Sequence, residues 1–327
     1  MSRWPEFDKQ MRQVDADIAK LERILDAPSI SDERRAQVRD RIVALRGRQE
    51  RITRDVFARL SAWDNVLLAR HVDRPYTLDY AAAVLGDFVE LHGDRRFGED
   101  PAIVGGLGSL NGETVAVIGH QKGRDVKERQ FRNFGSARPE GYRKAGRVMR
   151  VAEKLGFPVV SFVDTPAAES RPDAEERGIA NAIAENMVLM SSLATPIVVI
   201  IIGEGGSGGA IGIGVGDHVM MLEHAIYSVI PPESCAVILE AFGRDPTRGP
   251  EAAEALRLSA QRSLELGAVD EVIPEPLGGA HRDPAAAAKN VKDALLRTLG
   301  RLREAPVDEL LVARYRKYRQ IGHFLGD

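Results

Sequence analysis

Cysteine is all but missing: of 327 residues, only Cys235 carries a thiol. A disulfide within the chain and a cysteine-rich zinc site are both excluded, and a reducing, cytoplasmic setting is expected. Cys235 itself reads as a small packed residue rather than a nucleophile. No apolar run approaches the length needed to span a bilayer. The start, Met-Ser-Arg-Trp-Pro-Glu-Phe-Asp, has no apolar signal-peptide core, so a soluble protein without a membrane partner is expected. Strong net charge is lacking as well. A formal charge of -3 and a pI near 6.2 argue against nucleic acid as the main partner. Repeats and low-complexity segments are also wanting. What remains is a chain that is 44% apolar, enough for one large α/β unit with appendages or for two modest domains.

That chain is organised around residues 195–217. Ile197 to Ile202 are apolar and mostly β-branched with no alternation, as expected of a central strand covered on both faces. Glycine dominates the residues after Ile202, so the backbone could adopt positive φ and bring bare N–H groups close to a ligand, or simply pack a helix tightly on a sheet. Three chemical motifs overlap here. Gly203-Glu-Gly-Gly-Ser-Gly208 satisfies G-x-G-x-x-G after a strand, with Glu223 twenty residues on, but Gly212, Gly214 and Gly216 weaken the helix that a dinucleotide site needs. Gly205-Gly-Ser-Gly-Gly209 satisfies G-x-S-x-G, which would make Ser207 a hydrolase nucleophile with Asp270 and His281 downstream. The third motif is an oxyanion hole built from the N–H groups of Gly208, Gly209 and Ala210 at the start of a helix, which requires no side-chain nucleophile.

In chain order, Phe7 to Leu68 carries two amphipathic stripes separated at Pro28-Ser-Ile-Ser-Asp32, with Ser31 or Asp32 available as an N-cap. This predicts a helical hairpin lying on the main body or on a partner, its arginine content favouring the partner. A helix is expected from about Arg74 through Leu91, then a β-hairpin over 102–119 that turns at Asn111-Gly112. Lys122 to Arg150 holds ten Lys/Arg against three Asp/Glu, a local charge of +7 suited to an anionic cofactor, an acidic protein or a solvated helix face. A helix from Pro139 to Lys154, a buried strand Val159–Val163, a helix over 174–192, short strands at 219–222, 225–230 and 269–273, and a terminal helix or pair from Asp283 complete an α/β pattern.

Eight segments in order resemble the alpha-subunit family of bacterial acetyl-coenzyme A carboxylase carboxyltransferases. They are residues 74–80, 118–124, 133–135, 139–145, 174–178, 202–210, 214–217 and 273–282. The resemblance outweighs the dinucleotide and hydrolase motifs. It implies a crotonase-like (ClpP/crotonase) α/β spiral of ββα units, with a helical hairpin over 1–70, the carboxyltransferase core over 71–282 and a helical segment over 283–327. It further implies transfer of the carboxyl group of carboxybiotin, carried on a separate biotin carboxyl carrier protein, to acetyl-coenzyme A, giving malonyl-coenzyme A. A zinc-bearing beta subunit would complete an α2β2 heterotetramer, with no metal in this chain.

On this resemblance Gly208, Gly209 and Ala210 form the oxyanion hole, and Gly205, Gly206, Ser207, Ala167, Ala168, Glu169 and Arg171 bind substrate. One departure stands out. Where the family carries Asp-Thr-Pro-Gly-Ala-Tyr-Pro-Gly, this chain reads Asp164-Thr-Pro-Ala-Ala-Glu-Ser-Arg-Pro-Asp173. Two glycines and an aromatic are replaced by charged and β-carbon-bearing residues, and Ala167 cannot adopt positive φ cheaply. Three outcomes are open for such a loop: the acetyl-coenzyme A enzyme, a paralogous carboxyltransferase or acyl-thioester decarboxylase with another acceptor, or a non-catalytic scaffold. Arg171 would grip a carboxylate or phosphate, or pair with Glu169 or Asp173.

Overall fold

The unbroken apolar run lies in the middle of one eight-stranded sheet. The structure is a computed structural model that describes residues 4–27 and 30–322. Two helices come first, α1 (Trp4–Leu25) and α2 (Asp32–Phe57). Of the expected break between them, Pro28 and Ser29 lie outside the described residues, while Ser31 caps α2 by accepting from the Arg34 N–H at 3.3 Å. The outer end of this hairpin is held by the buried Ile18, Val38 and Ile42, with Val14, Leu21, Leu25 and Leu45 packed against them. Its base is held by Trp4, Phe7, Met11 and Leu68, with Phe57 edge-on to His224 and Trp4 edge-on to His281. The base therefore rests on this chain's own body, a correction to the preference for a partner: the aromatic residues at the helix ends, not the arginines, decide where it packs.

Two short helices come next, α3 (Ala62–Ala69) and α4 (Thr77–Val84). The predicted helix through Leu91 stops at Val84. Leu85 is extended (φ -105°, ψ 150°), and β1 (Gly86–Glu90) pairs antiparallel with β2 (Ile103–Leu110). Tertiary pairing overrides local helical propensity here, because the side chains of Leu85 and Phe88 cover Gly108 and Gly106 of β2. The hairpin of β2 and β3 (Glu113–His120) turns at Asn111 (φ 52°) and Gly112 (φ 87°), as expected.

After α5 (Val126–Phe131) and α6 (Pro139–Leu155), five parallel pairings extend the sheet from β3, the first of them to β4 (Val159–Thr165). The predicted helix over 174–192 is two helices, α7 (Pro172–Glu176) and α8 (Ile179–Ser192), separated by Gly178 at φ 76°. Then come β5 (Ile197–Gly206), α9 (Ser207–Ile211), β6 (His218–Leu222) and β7 (Ile226–Ser228). Next are α10 (Pro232–Ile238), α11 (Gly249–Leu256), α12 (Ala260–Glu265) and β8 (Glu271–Ile273). The order across the sheet is β1-β2-β3-β4-β5-β6-β8, with β7 pairing the C-terminal part of β5. All ten residues of β5 are buried.

The chain closes with a helix pair, α13 (Pro284–Arg303) and α14 (Val307–Arg319). From α14, the buried Arg314 donates to both carboxylate oxygens of Asp217 at 2.7 Å and to the carbonyls of Met190, Leu193 and Thr195. One guanidinium thus ties together the end of α8, the entry to β5 and the entry to β6. Arg314→Leu strands the Asp217 carboxylate, only 3% exposed, without its cation. Urea unfolding of this variant should show a loss of about 3–5 kcal/mol; a loss under about 1 kcal/mol would show that α14 is not fastened by this contact.

Candidate functional site

The sheet's parallel strands all end on one side, and buried charge is concentrated there. Lys122, just past β3, places its ammonium 2.7 Å from Asp164 Oδ1 on β4 and 2.8 Å from Glu204 Oε2 on β5. Asp164 Oδ1 also accepts the Glu204 N–H at 2.8 Å, and Glu204 Oε1 accepts from Arg70 Nε at 2.7 Å. Arg70, just past α3, reaches on to Glu233 of α10. Burial alone would raise the Glu204 carboxyl, but Lys122 and Arg70 hold it at about 2. Burial disfavours the Lys122 ammonium, yet the two carboxylates keep it charged and raise it well above the usual lysine range. Burial pushes the Asp164 carboxyl upward against the pull of the same lysine.

Alongside, Arg74 bonds the Ile202 carbonyl at 2.7 Å and pairs with the buried Glu275. None of these groups was among the expected site residues. The signal that could have found them is an acid or base directly after an uninterrupted apolar strand: Lys122 after β3, Asp164 in β4 and Glu204 in β5.

Gly203, Gly205 and Gly206 belong to the strand rather than to a loop, and none of the glycines from Gly203 to Gly216 has positive φ. They are needed for close approach. A Cβ on Gly203 would lie 2.4 Å from Asp164 Oδ1, one on Gly205 2.8 Å from the Tyr227 ring, and one on Gly206 2.0 Å from the Pro166 carbonyl oxygen. The dinucleotide motif loses its loop by this, and Glu223 is engaged by the Glu275 N–H at 3.0 Å.

The positive φ in this stretch falls on Ser207 instead, at 53°. This strand-to-helix corner has the strain expected of a nucleophile elbow. The proposed partners are elsewhere: Asp270 binds the Val219 N–H and Lys317, and His281 stacks on His71 with ring centroids 3.9 Å apart.

Gly208, Gly209 and Ala210 form the first turn of α9. Their N–H groups find no acceptor outside that helix among the described residues, and no side chain caps it. The carbonyl side is held: Tyr142 Oη donates to the Gly209 carbonyl at 3.2 Å and Asn186 Nδ2 to the Gly212 carbonyl at 3.1 Å. Ala167 and Ala168 are brought directly against this turn, since a Cβ on Gly209 would lie 2.7 Å from Ala167 C and from Ala168 N. Ala167 does not adopt positive φ, so the altered loop closes without that strain.

Glu169 and Arg171 turn to each other. Arg171 Nε donates to Glu169 Oε2 at 2.9 Å, and Asn133 Nδ2 reaches the same oxygen at 2.8 Å. Against the effect of burial, these bonds hold the Glu169 carboxyl at about 2. Ser207 and Gly208 open onto a surface cavity of about 300 Å³ completed by Ile211, Tyr227, Ser228 and Val229. A larger cavity of about 710 Å³ lies under the hairpin base, lined by Asp55, Asp64, Glu251 and Glu254 with Arg59, which suits an anionic substrate poorly. Asp8, His71 and His281 are spaced for a metal ion, but Arg12 bonds Asp8 and stands 3.0 Å from His71 Nε2, supplying positive charge at that place.

The family described as acetyl co-enzyme A carboxylase carboxyltransferase-like matches residues 4–322. A relative from Geobacter metallireducens, "Acetyl-coenzyme A carboxylase carboxyl transferase subunit alpha", is 50% identical over 98% of this chain and 97% of its own length. Among solved structures, a Pseudomonas malonate decarboxylase hetero-tetramer in complex with coenzyme A aligns with a TM-score of 0.57 at 16% identity, over 72% of this chain and 91% of that one. Transcarboxylase 12S with methylmalonyl-coenzyme A aligns with a TM-score of 0.53 at 19% identity, covering 68% of this chain and 42% of the other. At such identities the structural likeness shows the fold, which is crotonase-like, as expected.

Lys122→Met leaves Asp164 and Glu204 facing each other without their shared cation, and should cost about 3–5 kcal/mol at pH 7 in urea unfolding. In the native chain Glu204 titrates at about 2 rather than 4.5, so its contribution is present above about pH 4.5 and is lost as the pH falls through 2. In the variant that carboxyl is released upward and regains stability on acidification. The deficit should therefore shrink between pH 7 and pH 4.5; an unchanged deficit would show that Glu204 does not answer to Lys122.

Proposed function

Because the chain belongs to the acetyl-coenzyme A carboxylase carboxyltransferase family, we propose that it is the alpha-type subunit that moves the carboxyl group of carboxybiotin to acetyl-coenzyme A, giving malonyl-coenzyme A. The observation that carries this reading is the pair of unengaged N–H groups at Gly208 and Gly209, next to the cavity lined by Ser207, Gly208 and Tyr227. When bound, carboxybiotin supplies the carboxyl group and a ureido oxygen on which negative charge grows as that group leaves. In this reading Gly208 and Gly209 donate to that oxygen, with Ala210 completing the turn, and one such donor is worth about 3–4 kcal/mol. Gly205 and Gly206 let Tyr227 and the Pro166 backbone come close, Gly209 does the same for the Ala167–Ala168 wall, and Tyr142 and Asn186 fix the helix from its carbonyl side. No acid or base from this chain is required if the freed ring itself takes the proton of the acceptor, which fits the absence of a histidine partner for Ser207 among the described residues.

The partners are part of the same reading. A zinc-bearing beta subunit supplies most of the coenzyme A site, a biotin carboxyl carrier protein delivers the ring, and the assembly is an α2β2 heterotetramer in the cytoplasm. Residues 1–70 and 283–327 flank the core of 71–282 in it. The beta subunit has a suitable surface beside the cavity, where Ile211, Val229, Val237, Ile238 and Leu239 are all exposed. Cys235, only 4% exposed, is packed in the α10–α11 cluster. Independently, no helix among the described residues is long and apolar enough to cross a membrane. The rebuilt loop with its Glu169–Arg171 pair supports one second reading, a paralogue that uses another acyl thioester.

The test is reconstitution with the beta subunit, carboxylated carrier protein and acetyl-coenzyme A, following malonyl-coenzyme A. Product supports the proposal; product from a different acyl thioester alone supports the paralogue; none with any acceptor leaves a scaffold. Gly208→Ala should fold and remain active, since its Cβ makes only an ordinary 3.6 Å contact with Ile183. Gly208→Pro removes the N–H and should lower turnover about 10²–10³-fold with the α–β complex intact. Full turnover in that variant would remove the oxyanion assignment.

A further inference from the structure

The fold divides the basic run of 122–150 into two uses. Lys122, Arg124 and Lys144 are spent on carboxylates of the body, namely Asp164 and Glu204, Asp79, and Glu99. Arg143, Arg147 and Arg150 instead project from α6 into a groove of about 390 Å³, joined there by Lys154 and, from the loop over 93–98, by Arg95 and Arg96. Two carboxylates share the lining, Asp94 and Glu185, so cations outnumber acids by six to two. Asp94 Oδ1 is committed to the backbone N–H groups of Arg96, Phe97 and Gly98 at 2.8–2.9 Å. Arg143 is partly committed to the Glu140 carboxylate at 3.7 Å and to the Arg177 carbonyl, and Arg147 to the carbonyls of Gly93 and His92. The side chains of Arg95, Arg96, Arg150 and Lys154 have no acceptor among the described residues.

Two further features make this more than a solvated helix face. The Asp94-capped loop holds Arg95 in the left-handed region at φ 63°, a strained conformation for a non-glycine residue. Burial, and then the neighbouring Arg95, depress the Arg147 guanidinium below its ordinary value, and the nearby carboxylates of Glu99 and Asp94 offset this only in part.

The groove continues into a shallower hollow of about 670 Å³ that shares Arg96, Arg150 and Glu185, where the exposed Val188 offers an apolar shelf. The groove's own lining includes Asn186, which also bonds the Gly212 carbonyl behind α9.

We infer that this groove binds a small polyanion carrying two or more phosphates, such as a nucleoside diphosphate, at a site separate from the glycine turn. Guanidinium forks match phosphate oxygens in pairs, and the volume falls in the ordinary range for small-molecule sites. The apolar shelf beyond the cations suits a base or similar flat group.

The full chain is titrated by calorimetry with inorganic pyrophosphate and with ADP, and its melting temperature is followed in each. Saturable binding at one site per chain, with a rise in melting temperature, is expected. Arg95→Gln combined with Arg150→Gln should weaken it at least about tenfold. Arg95→Gly, which the left-handed φ accommodates without strain, should fold and show a similar direction of loss. Arg244→Gln, which removes only an exposed pair with Glu240, should bind as the native chain does. Tighter binding of ADP than of pyrophosphate assigns a nucleotide, and the reverse an inorganic polyphosphate. Absence of saturable binding, affinities untouched by the groove substitutions, or binding of polynucleotide alone would overturn the inference.

Discussion

Three parallel strands finish on one ammonium. Lys122, Asp164 and Glu204 come from consecutive strands of the sheet, and each would be expensive to bury without the other two. Their mutual dependence sets the relative height of β3, β4 and β5 where the strands end. Everything that makes the proposed site useful lies within a few residues: the Pro166–Ala168 wall comes just after Asp164, and the glycine corner just after Glu204. Arg70 extends the chain of charge to Glu233, carrying the same constraint to α10 and the apolar rim. Stability and placement of the backbone donors therefore rest on one set of contacts.

Much of this was legible in the chain. The hairpin at Asn111-Gly112, the helix opened by Pro139 and the all-buried β5 are dictated by turn chemistry and by apolar residues without alternation. The turn of Gly208 to Ala210 was legible as the start of a helix. What escaped was set by contacts distant in sequence. β1 reads as a continuation of helix until it meets β2, and nothing near Phe88 announces that Gly106 and Gly108 await it. The charged triad escaped because its outer members, Lys122 and Glu204, stand 82 residues apart. The base of the helical hairpin was misjudged because its arginines outnumber the few aromatic residues that settle its docking.

The glycines were legible as important, but for a reason only half right. Freedom at positive φ was expected of them, yet the residue that uses it is Ser207. The glycines are small because Asp164, Tyr227, Pro166 and Ala167 stand where their side chains would be. The loop of Ala167 to Asp173 shows the same principle from the other side. It accepts Ala167 in place of a glycine without left-handed strain, and two of its new charges, Glu169 and Arg171, neutralise each other.

A stretch shaped by its neighbours in this way cannot drift one letter at a time. Gly203 and Gly205 are each half of a fitted couple, with the side chains of Asp164 and Tyr227, so an enlargement on one side is tolerable only after a retreat on the other; Gly206 meets the Pro166 backbone, which no side-chain change withdraws. Across evolutionary time such positions should change as matched couples or stand still. Tyr227, which also lines the cavity, is then the partner through which the shape of this pocket can be retuned.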